Sequence, residues 1–191
     1  MVETKGKNWP PCHPIIYHDI QAEILESEAI QMAETSYKLW LAYIVTLIFN
    51  LAAVIASAAS GGAGDLIIQI LLASIYLLIW PIFDFISRHL SLYRAFKYDN
   101  LNSYRFFFLI TFLDILFGVF IGIGFLAGGG GGLIAMIYNF QHKLIVAGVF
   151  NAICVFLVLS LTMFHTILFR KVYKYLKSLH EDWNVIPGTG K

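Results

Sequence analysis

The sequence predicts an all-α integral membrane protein: a four-helix bundle with a cytoplasmic N-terminal amphipathic helix. Three observations predict it. Four apolar runs, about Leu39–Ala59, Leu66–Ile86, Phe106–Ala127 and Leu144–Phe169, each supply roughly the 20 residues a helix needs to cross ~30 Å of hydrocarbon. Of 191 residues, 59% are hydrophobic and 13% charged, too little polar surface for a soluble globule. The Lys and Arg residues divide twelve to one between the two sides that four spans would create.

The chain divides into an arm (1–38), a four-span domain (39–169) and a basic tail (170–191). The arm shows no signal peptide, because Pro10, Pro11, His13 and Pro14 follow Lys5 and Lys7 where an apolar core would be needed. Asn8 to Pro14 reads as extended, since proline removes an amide donor and fixes its own backbone. Asp19 to Tyr37 lacks proline and glycine and reads as one amphipathic helix. Leu25, Ala29, Met32 and Ala33 stripe one face, and Glu23, Glu26, Glu28 and Glu34 the other. Its acidic face would be repelled by anionic lipid. The helix is expected to fold back on the bundle near basic loops; the alternative is a docking helix for another protein.

The first and third connections are short and glycine-rich: Ser60-Gly61-Gly62-Ala63-Gly64-Asp65, and the run Gly128–Gly132 with its continuation. The second run reads as a flexible turn, since no Lys-Ser or Lys-Thr follows to make a phosphate loop. Lys143 is the single basic residue on that side; the arm, the middle loop and the tail hold the other twelve. The positive-inside rule therefore places both termini and the middle loop in the cytoplasm.

The middle loop, Ser87 to Asn100, alternates cations with aromatic and apolar residues. Arg88, Arg94 and Lys97, with Tyr93 and Phe96, form a basic-aromatic surface suited to anionic headgroups. Arg170, Lys171, Lys174 and Lys177 extend it along the tail. Topology determination alone would also account for the cation count.

At these residues the chain resembles the secretory carrier-associated membrane proteins, over about Pro10 to Lys177. Tyr17-His18-Asp19-Ile20 is similar to the family's arm, and Leu39-Trp40, Val45-Thr46-Leu47 and Asn50-Leu51 to its first span. Tyr93-Arg94-Ala95-Phe96-Lys97, with Asp99-Asn100 and Phe106-Phe107-Phe108, resembles its short cytoplasmic segment. The resemblance implies four spans with cytoplasmic termini in vesicle, Golgi, endosomal or plasma membranes. It also implies a role in vesicle transport or fusion, and phosphoinositides and trafficking or fusion proteins as partners. The family's usual Cys-Trp-Tyr-Arg-Pro stretch is replaced by Ser87-Arg88-His89-Leu90-Ser91. Its Asn-Pro-Phe repeats do not occur in this sequence, so adaptor binding is not implied.

Asp84 and Asp114 are the acids inside the apolar runs. A carboxylate in hydrocarbon is costly, so each should face protein. Asp84 stands one turn before Arg88 and is placed to pair with it. Asp114 should hydrogen-bond a neighbouring helix, near Asn50 or His165. Pro81 is expected to kink the second span. Gly118 and Gly122 mark a close helix contact, within the bundle or in a homo-oligomer. No catalytic constellation emerges. Cys12-His13 lacks further zinc ligands at recognisable spacing, and no cofactor or nucleic-acid partner is expected. The chain reads as a non-enzymatic trafficking protein; the alternatives are a small channel or transporter using the two acids, and an oligomeric scaffold.

Overall fold

The structure, a computed structural model, describes residues 6–10, 16–62, 65–125 and 128–183. Lys5, Pro11, the Cys12–His13 pair, Pro14, Ala63, Gly64, Ala127 and Lys191 lie outside the described residues.

Among the described residues the elements run α1 (Ile20–Glu23), α2 (Ser27–Ala59), α3 (Leu66–Asp84), a π-helical turn (Phe85–His89), α4 (Leu90–Tyr98), α5 (Leu101–Ile123), α6 (Leu133–Gln141) and α7 (Ile145–Trp183). Four helical stretches are long and apolar enough to cross a membrane: Ser27–Ala59, Ile67–Tyr98, Leu101–Ile123 and Ile145–Leu179. They alternate in direction. The described parts of two connections, 60–62 with 65 and 124–125 with 128–144, lie at one end, here the glycine end; that at 99–100 lies at the other, the basic end. At 1.5 Å per residue the 33 residues of α2 run about 50 Å, beyond ~30 Å of hydrocarbon. Both α2 and α7 therefore project past the bilayer.

Local signals set the ends. Asp65 caps α3 by accepting from the Ile68 amide at 3.2 Å. Asn100 caps α5 through the Asn102 and Ser103 amides, at 2.9 and 3.3 Å. Gly124, at φ +69°, ends α5 in the left-handed conformation. Inside lie Leu47, Leu92, Phe107, Ile121 and Val172; Ile67, Leu78, Val146 and Phe156 face outward, where hydrocarbon would cover them. A Cβ at Gly118 would sit 2.4 Å from Thr162 Oγ1, and one at Gly122 3.4 Å from Val158 Cγ1. The small face thus seats α5 on α7 inside one bundle.

Three expectations are corrected. The helix expected over Asp19–Tyr37 is broken. Asp19 caps the short α1 through the Ala22 amide at 3.0 Å, Ile24 turns extended and buries its side chain, and Leu25 points out, 95% exposed. The chain restarts at Ser27 and continues unbroken into the first span. Next, the middle loop is helical. A π-helical turn and α4 carry the second span to Tyr98, and left-handed Asp99 ends it. The third correction is the glycine run. Gly129 to Gly132 are buried, and the continuation forms α6. The run folds back into the bundle.

Candidate functional site

Towards the basic end, buried charges join three helices. The Arg88 guanidinium forks onto Asp84, Nε to Oδ1 at 2.5 Å and Nη2 to Oδ2 at 2.8 Å. Its Nη1 donates to Ser36 Oγ on α2 at 3.1 Å. Its Nε also lies 3.3 Å from Asp114 Oδ2 on α5. Asp114 Oδ1 accepts from Trp80 Nε1 at 3.1 Å. Asp84 and Arg88 are fully buried and Asp114 is 2% exposed. A planar fork with five donors suits two carboxylates and a hydroxyl at once.

Local structure puts Arg88 there. Pro81 brings no amide, and the Pro81 carbonyl accepts from Trp40 Nε1 at 2.8 Å. Four residues later the helix widens, and the Leu90 amide bonds to the Phe85 carbonyl five residues back. Such a turn takes in about one extra residue. Arg88 and His89 consequently both face the interior. Asp114 therefore meets Trp80 and Arg88, not Asn50. His165 is near: it lines, with Tyr43, Gly118 and Thr162, a cavity of about 10 Å³ beside Asp114. Tyr43 Oη and His165 Nε2, both buried there, have no hydrogen-bond partner among the described residues. Space of that size matches about one water.

The cluster continues to the arm. His89 Nδ1 is 3.2 Å from Ser36 Oγ, and His89 Nε2 is 2.9 Å from His18 Nε2. One ring must donate and the other accept across that contact. Trp9 stacks on Phe85 at 3.9 Å and meets Trp40 edge-on at 5.9 Å. The Trp9 and Ile16 backbones pair, so the described parts of the arm form a hook over the cluster. Burial lowers the His18 pKa below its usual value, against the opposing pull of its own backbone contact, Asp19 and Glu23.

The expected lipid-binding residues separate into two groups. Arg88 does not reach the surface, because it serves the two carboxylates. Tyr93 is also buried; its hydroxyl contacts Glu23 and the Asp19 backbone. Phe96 is half-buried, edge-on to Tyr104 and Tyr175. Lys97 pairs with Glu23 at 2.9 Å. Arg94, Arg170, Lys171, Lys174 and Lys177 are exposed at the same end of the bundle. The acidic face of the arm thus meets Lys97, Tyr93 and, through Glu26, Tyr175 at 2.5 Å.

At the glycine end a second, uncharged cluster forms, which periodicity did not reveal. The fully buried Asn50 donates through Nδ2 to the Gly129 carbonyl at 2.9 Å, and its Oδ1 accepts from the Gly131 amide at 2.8 Å. Asn139 Nδ2 donates to Ser57 Oγ at 2.8 Å, and Ser57 Oγ lies 3.1 Å from Asn151 Oδ1. Gly129 has φ +66°, and a Cβ there would meet Leu72 Cβ at 2.7 Å; one at Gly131 would meet Ala53 Cβ at 2.6 Å. Glycine is what lets this backbone enter. The detectable signal was three asparagines at apolar positions, each needing a partner. Among the described residues no group of three or more His, Cys, Asp or Glu is placed to hold a metal ion.

The SCAMP family model matches residues 6–179. Secretory carrier-associated membrane protein 5 of Oryza sativa subsp. japonica is 33% identical over 180 residues, covering 92% of this chain and 62% of that protein. Secretory carrier-associated membrane protein 4 of Arabidopsis thaliana is 33% identical over 116 residues, 61% of this chain and 42% of its own length. Secretory carrier-associated membrane protein 2 of Homo sapiens is 27% identical over 199 residues, 96% of this chain and 59% of its own. The chain thus spans less than two thirds of each of these relatives. No solved structure matches it. With four candidate spans and a family match from the arm to the end of the last span, the chain belongs to the SCAMP family.

Proposed function

We propose that this is a non-enzymatic membrane-trafficking protein of post-Golgi or endosomal vesicles, acting in vesicle transport or fusion. Its basic end faces the cytoplasm and gathers anionic lipid headgroups, phosphoinositides among them, beside trafficking or fusion proteins. The observation that carries the reading is the co-location of Arg94, Arg170, Lys171, Lys174 and Lys177, all exposed at one end. Each cation near an anionic surface contributes ~1 kcal/mol. Family membership and the names of the relatives support the trafficking role. The transporter alternative needs a water path to Asp114. The cavity there is about 10 Å³, with Leu47, Ile121, Val158 and Leu161 in its wall, so nothing in the geometry favours it.

The test is binding of anionic vesicles by the purified chain across a salt series. Arg94→Gln together with Arg170→Gln should weaken binding by ~10-fold or more, the loss shrinking at high salt. Equal binding by both proteins at low salt would leave these cations as topology signals only. Cysteine labelling at Asp99 and Asp65, both exposed at opposite ends, checks the orientation. Labelling of both from one side refutes it.

A further inference from the structure

Beyond a general basic surface, the bundle carries a groove whose lining changes from polar to apolar. It runs between α2 and α7. At the basic end its upper part is a cavity of about 200 Å³, lined by Glu28, Gln31 and Thr35 of α2 and by Lys171 and Lys174 of α7. Below it lies a larger groove of about 350 Å³, lined by Ala42, Val45, Leu157, Ser160 and Phe164. On α2 the lining positions 28, 31, 35, 39, 42 and 45 are three or four apart. On α7 the positions 174, 171, 168, 164, 161 and 157 are too. Each set is one continuous helix face. The two cavities therefore lie in line along one crevice between α2 and α7, separated by a single turn on either helix.

The crevice changes character where a membrane surface would cross it. Leu168, Leu39 and the lining below are apolar but for small hydroxyls; above, Glu28, Gln31, Thr35, Lys171 and Lys174 are charged or polar around the buried Met32. The lower part spans about 10 Å along either helix, within the ~15 Å depth of one leaflet. It suits part of one acyl chain.

The mouth has charges to spare. Lys38 pairs with Glu34, Lys97 with Glu23, and Arg88 with Asp84 and Asp114. Lys171, Lys174 and Glu28 appear in no ion pair among the described residues. Outward from the apolar part the order is Lys171 then Lys174 along α7, and Gln31 then Glu28 along α2; Glu26 reaches Tyr175 across the seam, so Glu28 lies about level with Lys174. One cation followed by a cation that faces an anion complements a headgroup whose phosphate precedes a carbon bearing both a carboxylate and an ammonium.

We propose that this crevice binds one phosphatidylserine-type lipid. Its phosphate lies at Lys171, its carboxylate at Lys174 and Gln31, its ammonium at Glu28, and one acyl chain lies along Ala42, Val45, Leu157 and Phe164. The proposal rests on the reading that the basic end meets acidic lipid. It adds selectivity: Glu28 opposes a headgroup bearing phosphates alone and favours one with an amine.

The test uses the full chain in phosphatidylcholine nanodiscs doped with either phosphatidylserine or phosphatidic acid, with bound lipid counted by native mass spectrometry. The wild type should retain one phosphatidylserine in preference to phosphatidic acid. Lys171→Gln with Lys174→Gln should cut retention ~10-fold or more. Glu28→Gln should erase the preference for serine over phosphatidic acid. Ala42→Phe should fill the groove and lower retention of long-chain lipid while a dihexanoyl analogue still binds. These positions other than the groove residues are exposed, and a melting curve confirms folding of each variant. Equal retention of the two lipids by the wild type, or unchanged retention in the double lysine variant, would overturn the proposal. If vesicle binding still depends on Arg94 and Arg170 in that event, the crevice alone has failed. If that dependence is missing but the lipid is retained selectively, the proposed function has failed and the crevice stands.

Discussion

The two ends of the bundle solve the same problem with different chemistry. Towards the basic end, Asp84, Arg88 and Asp114 bury ionisable groups in one ion-pair cluster. Towards the glycine end, Asn50, Ser57, Asn139 and Asn151 bury neutral amides and a hydroxyl. The difference follows from what each must hold. Around Arg88 the backbones are helical and satisfy themselves, so the side chains serve to tie α2, α3 and α5 together. Around Asn50 the backbone of Gly129–Gly131 is non-helical at membrane depth, where no water can take its hydrogen bonds. One amide side chain has both a donor and an acceptor to offer it. A charged group there would leave one of the two backbone groups unmet.

The sharpest way to break the contrast is to remove the single cation. Arg88→Gln leaves the buried Asp84 carboxylate uncompensated and should destabilise by roughly 3–5 kcal/mol. Thermal unfolding in detergent reads this. Replacing the cluster together, Asp84→Leu with Arg88→Met and Asp114→Leu, should recover much of the loss, because the desolvation cost goes with the charges. Asp114→Asn alone should keep the fold, and Asp114→Leu should cost little more than the ~0.6 kcal/mol average for polar contacts in membranes. If Arg88→Gln is as mild as Asp114→Leu, the cluster does not tie the helices.

The glycine end should respond to changes of shape as much as to polarity. Asn50→Leu strands the Gly129 carbonyl and the Gly131 amide and should cost about 1–3 kcal/mol. Gly131→Ala should cost a similar 1–3 kcal/mol by driving a methyl into Ala53. Hydrogen exchange at residues 128–132 should rise in both variants while α2 to α5 stay protected. Unchanged exchange would mean that the loop does not depend on Asn50.

The smallest effect is a pH dependence confined to the basic end. His18 faces His89, Tyr93, Tyr37, Phe85, Trp9, Asp19 and Glu23. Its docked pKa is lowered from 6.5, mainly by burial. Below 6.5 the released arm binds more protons than the docked one, so docking strengthens as pH rises and is complete above that value. Trp9 fluorescence should report an arm that is held at pH 7 and loosens as the solution is acidified. His18→Phe should remove the dependence. Asn50, Ser57, Asn139 and Asn151 carry no charge over the same range, so the glycine end should not change.

Much of the charged site could be read from spacing, because Asp84 and Arg88 are one helical turn apart and a buried carboxylate needs a partner. The direction of Arg88 could not. It depends on a π-helical turn, whose extra residue is paid for by contacts with Ser36 and Asp114 on other helices. Asn50 illustrates the same limit: a lone amide in an apolar run announces a need for partners but not which backbone will supply them.

The four spans, their alternation and the gathering of cations at one end follow from the chain read locally. These depend on local quantities: the length of each apolar run, the loop charges, and Asp or Asn at helix starts. Packing between distant segments selects which cations stay outside, hooks the arm onto the second span and brings the glycine run inside. Those outcomes depend on surfaces more than twenty residues apart in the chain meeting closely enough to satisfy one another's polar groups, and hydropathy contains no record of that geometry.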